Sequence, residues 1–108
     1  MYHYKAKIIA VYDGDTVTAL VDLGFLHPQE MKLRLYGINT PEVRGEERER
    51  GLLVRDILRD MVLDKDVQIR SFKDKQGKYG RYLANIMLGD LDVNEWLVTN
   101  GHAERYMV

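Results

Sequence analysis

Lys5-Ala6-Lys7-Ile8-Ile9-Ala10-Val11-Tyr12-Asp13-Gly14-Asp15-Thr16-Val17-Thr18-Ala19-Leu20-Val21-Asp22-Leu23 decides how this chain folds. Apolar and polar residues alternate from Lys5 to Tyr12 and again from Thr16 to Leu23, the two-residue period of a strand with one buried face. Asp13-Gly14 between them is a strong hairpin signal. Two antiparallel strands therefore open the chain. Met31 to Tyr36 alternates again, with Leu33 and Leu35 on one face and Lys32, Arg34 and Tyr36 on the other, which predicts a third.

The period then changes. From about Glu47 to Val62 the residues Leu53, Val54, Ile57, Leu58, Met61 and Val62 form an apolar stripe at helical spacing. Strands follow near Val67 to Phe72 and Tyr82 to Leu88, separated by a polar loop containing Gly77 and Gly80. Asp92 with Glu95 makes a capping box for a short helix through Thr99, and Gly101 stops it. Trp96, Val93 and Leu97 on this helix read as core. Three strands, a helix, two strands and a helix suit a mainly β (α+β) fold: a five-stranded Greek-key OB-like barrel with two helices packed outside.

At 108 residues and 12.6 kDa the chain reads as a single domain, 1–108, able to bury roughly 65% of its unfolded surface. There is no cysteine, and His3, His27 and His102 are scattered, so a zinc site has no support and a bound cation would be held by oxygen. No apolar run approaches the ~18 residues of a membrane span, and Met1 to Lys5 lacks a signal-peptide core. A cytoplasmic monomer without an obligate protein partner is expected, secreted only if a leader was removed. Net charge is -1, so nucleic-acid binding would rest on local charge, of which Arg70, Lys73, Lys75, Lys78 and Arg81 make one patch.

Three separated segments carry the chemistry: Asp13-Gly14-Asp15-Thr16, Leu33-Arg34-Leu35-Tyr36-Gly37-Ile38-Asn39-Thr40-Pro41-Glu42 and Lys78-Tyr79-Gly80-Arg81. Carboxylates and an amide suit a hard cation, arginine forks suit a phosphate, and a carboxylate can activate water. In this order and spacing, from about Ala6 to about Ala103, the segments resemble the signature of the staphylococcal-nuclease-like (thermonuclease) family. The resemblance implies a calcium-dependent, or other divalent-cation-dependent, nuclease that hydrolyses DNA and possibly RNA with little sequence preference and leaves 3′-phosphate ends. It further implies metal ligation by Asp15, by Asn39 and by the carbonyl of Thr40, catalysis by Arg34, Glu42 and Arg81, and nucleotide contacts by Lys78 and Tyr79. Asp13 would shape the turn or orient a metal-bound water. One position departs from the pattern: Asn39 stands where the family usually has a metal-binding aspartate.

Each segment has a plainer meaning on its own. Asp-Gly-Asp is a common hairpin, Thr40-Pro41-Glu42 suits a helix start, and the charged run Arg44 to Arg50 is most simply a solvated loop. The rival function is a catalytically weakened OB-fold module that binds single-stranded nucleic acid, with Asn39 marking a decayed site. Against it, the chain shows no clear interleaving of aromatic and basic residues on its strands. Magnitudes favour the metal: a base supplies ~10²- to 10⁴-fold and each charge-stabilising donor ~3 to 4 kcal/mol, which together reach only the lower half of the ~8 to 23 kcal/mol enzymes supply.

Overall fold

A computed structural model describes residues 2–24, 27–72 and 82–106. The chain runs β1 (Tyr2–Asp13), β2 (Thr16–Val21), β3 (Gln29–Leu35), β4 (Ile38–Asn39), a 3-10 turn (Gly45–Glu47), α1 (Arg48–Val62), β5 (Asp66–Phe72), β6 (Tyr82–Leu88), β7 (Leu91–Asp92), α2 (Val93–Thr99) and β8 (Glu104–Arg105). The strand order is β3-β2-β1-β5-β6, and parallel pairing of β3 with β6 closes these five into a mixed barrel. The OB-like α+β architecture expected from the alternation is the one found.

Long β1 serves both halves, pairing with β2 along one edge and β5 along the other. Its register with β2 slips between Ile8 and Ala10 and again between Val11 and Asp13, two bulges of the kind that bend a strand and tighten its twist. Ile8, Val11, Val17, Ala19, Val21, Leu33, Leu35, Ile69, Ala84 and Ile86 fill the interior, and Leu58, Val62, Val93 and Leu97 from the helices complete the same core. Trp96 packs against that core, as expected of it.

The buried positions of α1 are Gly51, Val54, Leu58 and Val62, one row at helical spacing. Leu53, placed in the stripe by its hydrophobicity, is instead 58% exposed, because it lies off that row. Asp92 accepts a hydrogen bond from the Glu95 amide at 3.1 Å, so the Asp92 half of the predicted capping box is formed, while the Glu95 carboxylate pairs with Arg105 instead. Gly101 follows the helix with φ +77°, a left-handed conformation suited to glycine.

Buried Asn94 on α2 was missed by the periodicity. Its Oδ1 accepts from the Ile86 amide at 3.1 Å, while Nδ2 donates to the carbonyls of Tyr36 and Ala84 at 3.0 and 3.1 Å. It thereby joins the end of β3 to β6 and α2. Each such buried backbone group costs about 1–3 kcal/mol if left unpaired, so this side chain fixes where the residues after Leu35 leave the barrel.

Candidate active site

The hairpin, the end of β3 and the loop that follows it meet at one rim of the barrel. Asp13 Oδ1 accepts the Asp15 amide at 3.0 Å, an Asx-type turn that orients Asp15. Backbone contacts lock this turn to the third strand, since the Leu35 amide donates to the Asp15 carbonyl at 2.8 Å. Asp15 is only 8% exposed, and its carboxylate is surrounded by donors. Oδ2 accepts the Thr40 amide at 3.1 Å and lies 3.5 Å from Arg34 Nη2, while Oδ1 accepts Thr16 Oγ1 at 3.3 Å.

Arg34 links the pieces. Its Nη1 donates to the neighbouring Leu35 carbonyl at 3.0 Å, and its Nη2 donates to Asn39 Oδ1 at 2.8 Å. The Asp15 carboxylate and the Asn39 amide oxygen thus converge on a single cationic nitrogen. Burial, reinforced by the Asp15 carboxylate beside it, pushes Asp13 from 3.8 up to about 6. Sign follows from linkage: the folded chain holds this proton more tightly, so the group costs stability as pH rises from about 4 through 6. At neutral pH the corner carries two adjacent carboxylates and one guanidinium.

The oxygens gathered here fit a hard cation. Asp15 supplies a charged oxygen, Asn39 a neutral one, and Thr40 is held against Asp15 through its amide. Calcium takes six to eight oxygens, and no cluster of three His, Asp or Glu side chains able to hold a metal occurs among the described residues. Water and substrate oxygens would have to complete such a shell.

Glu42 stands apart from this corner, exposed on the loop beyond Thr40. A polar cleft of about 280 Å³ contains it, lined also by Asn39, Thr40, Arg50, His102 and Glu104. Asn39 and Glu104 are held side by side in this lining by the pairing of β4 with β8, Ile38 with Arg105 and Asn39 with Glu104, and Arg105 forms an ion pair with Glu95 of α2. Arg50 Nη2 donates to the Gly101 carbonyl at 2.9 Å and ties α1 to the end of α2. Asp15, Arg34, Asn39 and Thr40 are therefore brought together and Glu42 lies on the adjoining rim. Lys78, Tyr79 and Arg81 lie outside the described residues, as do Lys73 and Lys75 of the basic patch.

Two glycines position the site by occupying little space. A Cβ on Gly14 would fall 2.6 Å from Val54 Cγ1 and 2.8 Å from Thr40 Cβ. Its φ is not positive, so the Asp-Gly pair earns its place by close packing under the Thr40 loop rather than by a left-handed turn. On Gly51 of α1 a Cβ would meet the Glu42 carbonyl oxygen at 2.0 Å and the Pro41 carbonyl oxygen at 2.9 Å. Gly51→Ala should gain about 1 kcal/mol of helix propensity but must push the Glu42 backbone aside, with a net loss of about 1–3 kcal/mol of the kind seen on overpacking. Thermal unfolding checks this; a more stable variant would show that the loop yields without cost.

Comparison with known proteins bears on the same elements. Residues 32–108 match the family model described as staphylococcal nuclease homologue. The thermonuclease of Staphylococcus hyicus is 30% identical over 100 residues, covering 90% of this chain and 56% of the thermonuclease. An uncharacterised protein of Methanocaldococcus jannaschii is 28% identical over 130 residues, covering 97% of this chain and 60% of its own length. The chain thus spans little more than half of each relative. No helix among the described residues is long and apolar enough to cross a membrane. A closed five-stranded barrel with two helices, matched by that family model over more than half its length, makes this chain a member of the staphylococcal nuclease homologue family.

Proposed function

We propose that the chain is a metal-dependent nuclease that hydrolyses phosphodiester bonds of DNA and RNA with little sequence preference, leaving 3′-phosphate ends. The observation supporting it is the convergence of Asp15 Oδ2 and Asn39 Oδ1 on Arg34 Nη2, oxygens of the kind a cation takes around a fork of the kind a phosphate takes, with exposed Glu42 on the adjoining rim.

Asp15, Asn39 and the Thr40 carbonyl would hold calcium, which when bound supplies charge stabilisation worth several kcal/mol to the reacting phosphate. Arg34 binds the non-bridging oxygens of the scissile phosphate and orients it, its own direction fixed by the Leu35 carbonyl. Glu42 takes a proton from the attacking water as the new oxygen–phosphorus bond forms and the bond from phosphorus to the 5′ oxygen breaks. That oxygen leaves as a hydroxyl after gaining a proton, a step in which Arg81 assists. Lys78 and Tyr79 contact the nucleotide. Low sequence preference follows from the lack, among the described residues, of a helix or ribbon shaped to read base edges.

Cleavage of labelled single-stranded DNA by the pure protein, with and without calcium, tests the reading. Chelator-sensitive cleavage supports it; intact strands at every calcium concentration overturn it.

A further inference from the structure

The outer face of β3 carries Lys32, Arg34 and, one residue past the strand, Tyr36, at successive outward positions. In sequence Tyr12 is remote from them, but it lies on β1 at the register shift between Val11 and Asp13, and its side chain reaches this face across β2. There the Tyr12 hydroxyl bonds Thr18 Oγ1 at 3.1 Å, and Lys32 Nζ lies 5.1 Å from the centre of its ring. Thr18 is itself paired with Lys32 across β2 and β3. The interleaving of rings and cations that is absent along the sequence is therefore present in space, in the order Tyr12, Lys32, Arg34, Tyr36.

Both tyrosines are open, Tyr12 at 49% and Tyr36 at 43% exposure. The ammonium of Lys32 accounts for part of the Tyr12 environment and leaves half the residue in solvent. Where two rings share a face with cations, the cations narrow the choice of partner. A membrane or apolar peptide would gain little from Lys32 and Arg34, and a duplex hides its base faces. A single nucleic-acid strand presents both phosphates and stackable bases. Glu30, next outward on β3 beyond Lys32, ends the strip with a charge that repels phosphate.

We infer that Tyr12, Lys32 and Tyr36 extend the candidate active site into a binding strip for single-stranded nucleic acid, with the two rings stacking bases on either side of the phosphate at Arg34. This rests on the nuclease reading, and it adds to it two stacking rings and a cation outside the catalytic set. Stacking on one ring supplies about 5- to 150-fold in affinity. Lys32 adds a phosphate contact whose share declines with salt.

Fluorescence anisotropy of labelled oligothymidylate in chelator measures binding without turnover. The wild type should bind a dodecamer more tightly than a trinucleotide and more tightly than a duplex of equal length. Tyr12→Ala and Tyr36→Ala should each weaken dodecamer binding about 5-fold or more, with Tyr12→Phe and Tyr36→Phe restoring it, which a fold defect from losing the Thr18 bond would not allow. An oligouridylate run in parallel tells whether the strip distinguishes RNA from DNA. Alanine variants that bind the dodecamer like the wild type, or a duplex bound as tightly as the strand, overturn the strip. Ring-dependent binding by a protein that cleaves nothing would retain the strip and sink the nuclease reading, so the two failures are separable.

Discussion

Glu42→Gln is expected to lower kcat for hydrolysis of single-stranded DNA by roughly 10²- to 10⁴-fold, the contribution of a positioned general base, with little change in melting temperature. The small structural effect follows from exposure. Glu42 is solvent-exposed on its loop, and its position depends on backbone packing against Gly51 rather than on its own carboxylate. A glutamine keeps the shape and removes only the ability to take the proton. Rate should therefore fall while strand affinity is held, a split between kcat and KM that a misfolded loop would not give. Unchanged turnover would remove Glu42 from the reaction and point to a base elsewhere in the cleft.

Arg34→Ala should produce a comparable loss, roughly 10²- to 10³-fold for a charge-stabilising donor, but with a different accompaniment. In the folded chain the guanidinium lies between Asp15 and Asn39, with 16% of its side chain and 11% of that of Asp15 exposed. Its removal leaves a nearly buried carboxylate with one cation fewer, so thermal stability in chelator should fall by a few kcal/mol. Added calcium should restore much of that stability, because the same oxygens that bonded Arg34 are the ones assigned to the ion. Turnover should remain lost. Calorimetric calcium titration separates the cases: binding as tight as in the wild type, or tighter, is expected, and weaker binding would contradict the placement of the cation at Asp15 and Asn39. Arg34→Lys should retain more stability than Arg34→Ala but little activity, since an ammonium lacks the planar fork.

The barrel was legible because its strands obey the simplest rule available. Val17, Ala19 and Val21 lie in the hydrophobic core while Thr16 and Thr18, also buried, spend their hydroxyls on Asp15 and Tyr12, and β3 repeats the apolar period with Leu33 and Leu35. Such alternation survives any detail of packing, as does the cap formed by Asp92. Leu53 shows where the rule weakens: hydrophobicity put it in the stripe of α1, while the actual row is defined by Gly51, Val54, Leu58 and Val62. Glycine has no hydrophobic signal, so its closeness to Glu42 could be found only once the loop was placed.

The candidate site was readable as a set of residue types and unreadable as an arrangement. Asp15, Arg34, Asn39 and Thr40 meet through long-range contacts, most plainly the Thr40 amide to Asp15 Oδ2, for which no local spacing exists. Asn94 had no signal at all, because its three bonds reach back to β3 and β6. β4 and β8, two residues each, are too short for periodicity to register. Tyr12 is the most instructive residue. Alternation alone gives it no particular partner, and its ring meets Lys32 from two strands away, β1 to β3, a contact that no local spacing announces.

Asn39 is the point on which the account turns, since an amide in place of a carboxylate weakens the hold on a cation without abolishing it. One lost charge at ~4 Å is worth from ~1 kcal/mol in water to ~4 kcal/mol at a protein-like dielectric, a wide range that only titration narrows. The most direct measurement is cleavage of labelled single-stranded DNA by the pure protein across calcium concentrations reaching tens of millimolar, with a chelator control and Asn39→Asp alongside. The account predicts saturable, chelator-sensitive cleavage by the wild type and half-saturation at lower calcium in Asn39→Asp. No cleavage by the wild type at any calcium concentration would contradict it.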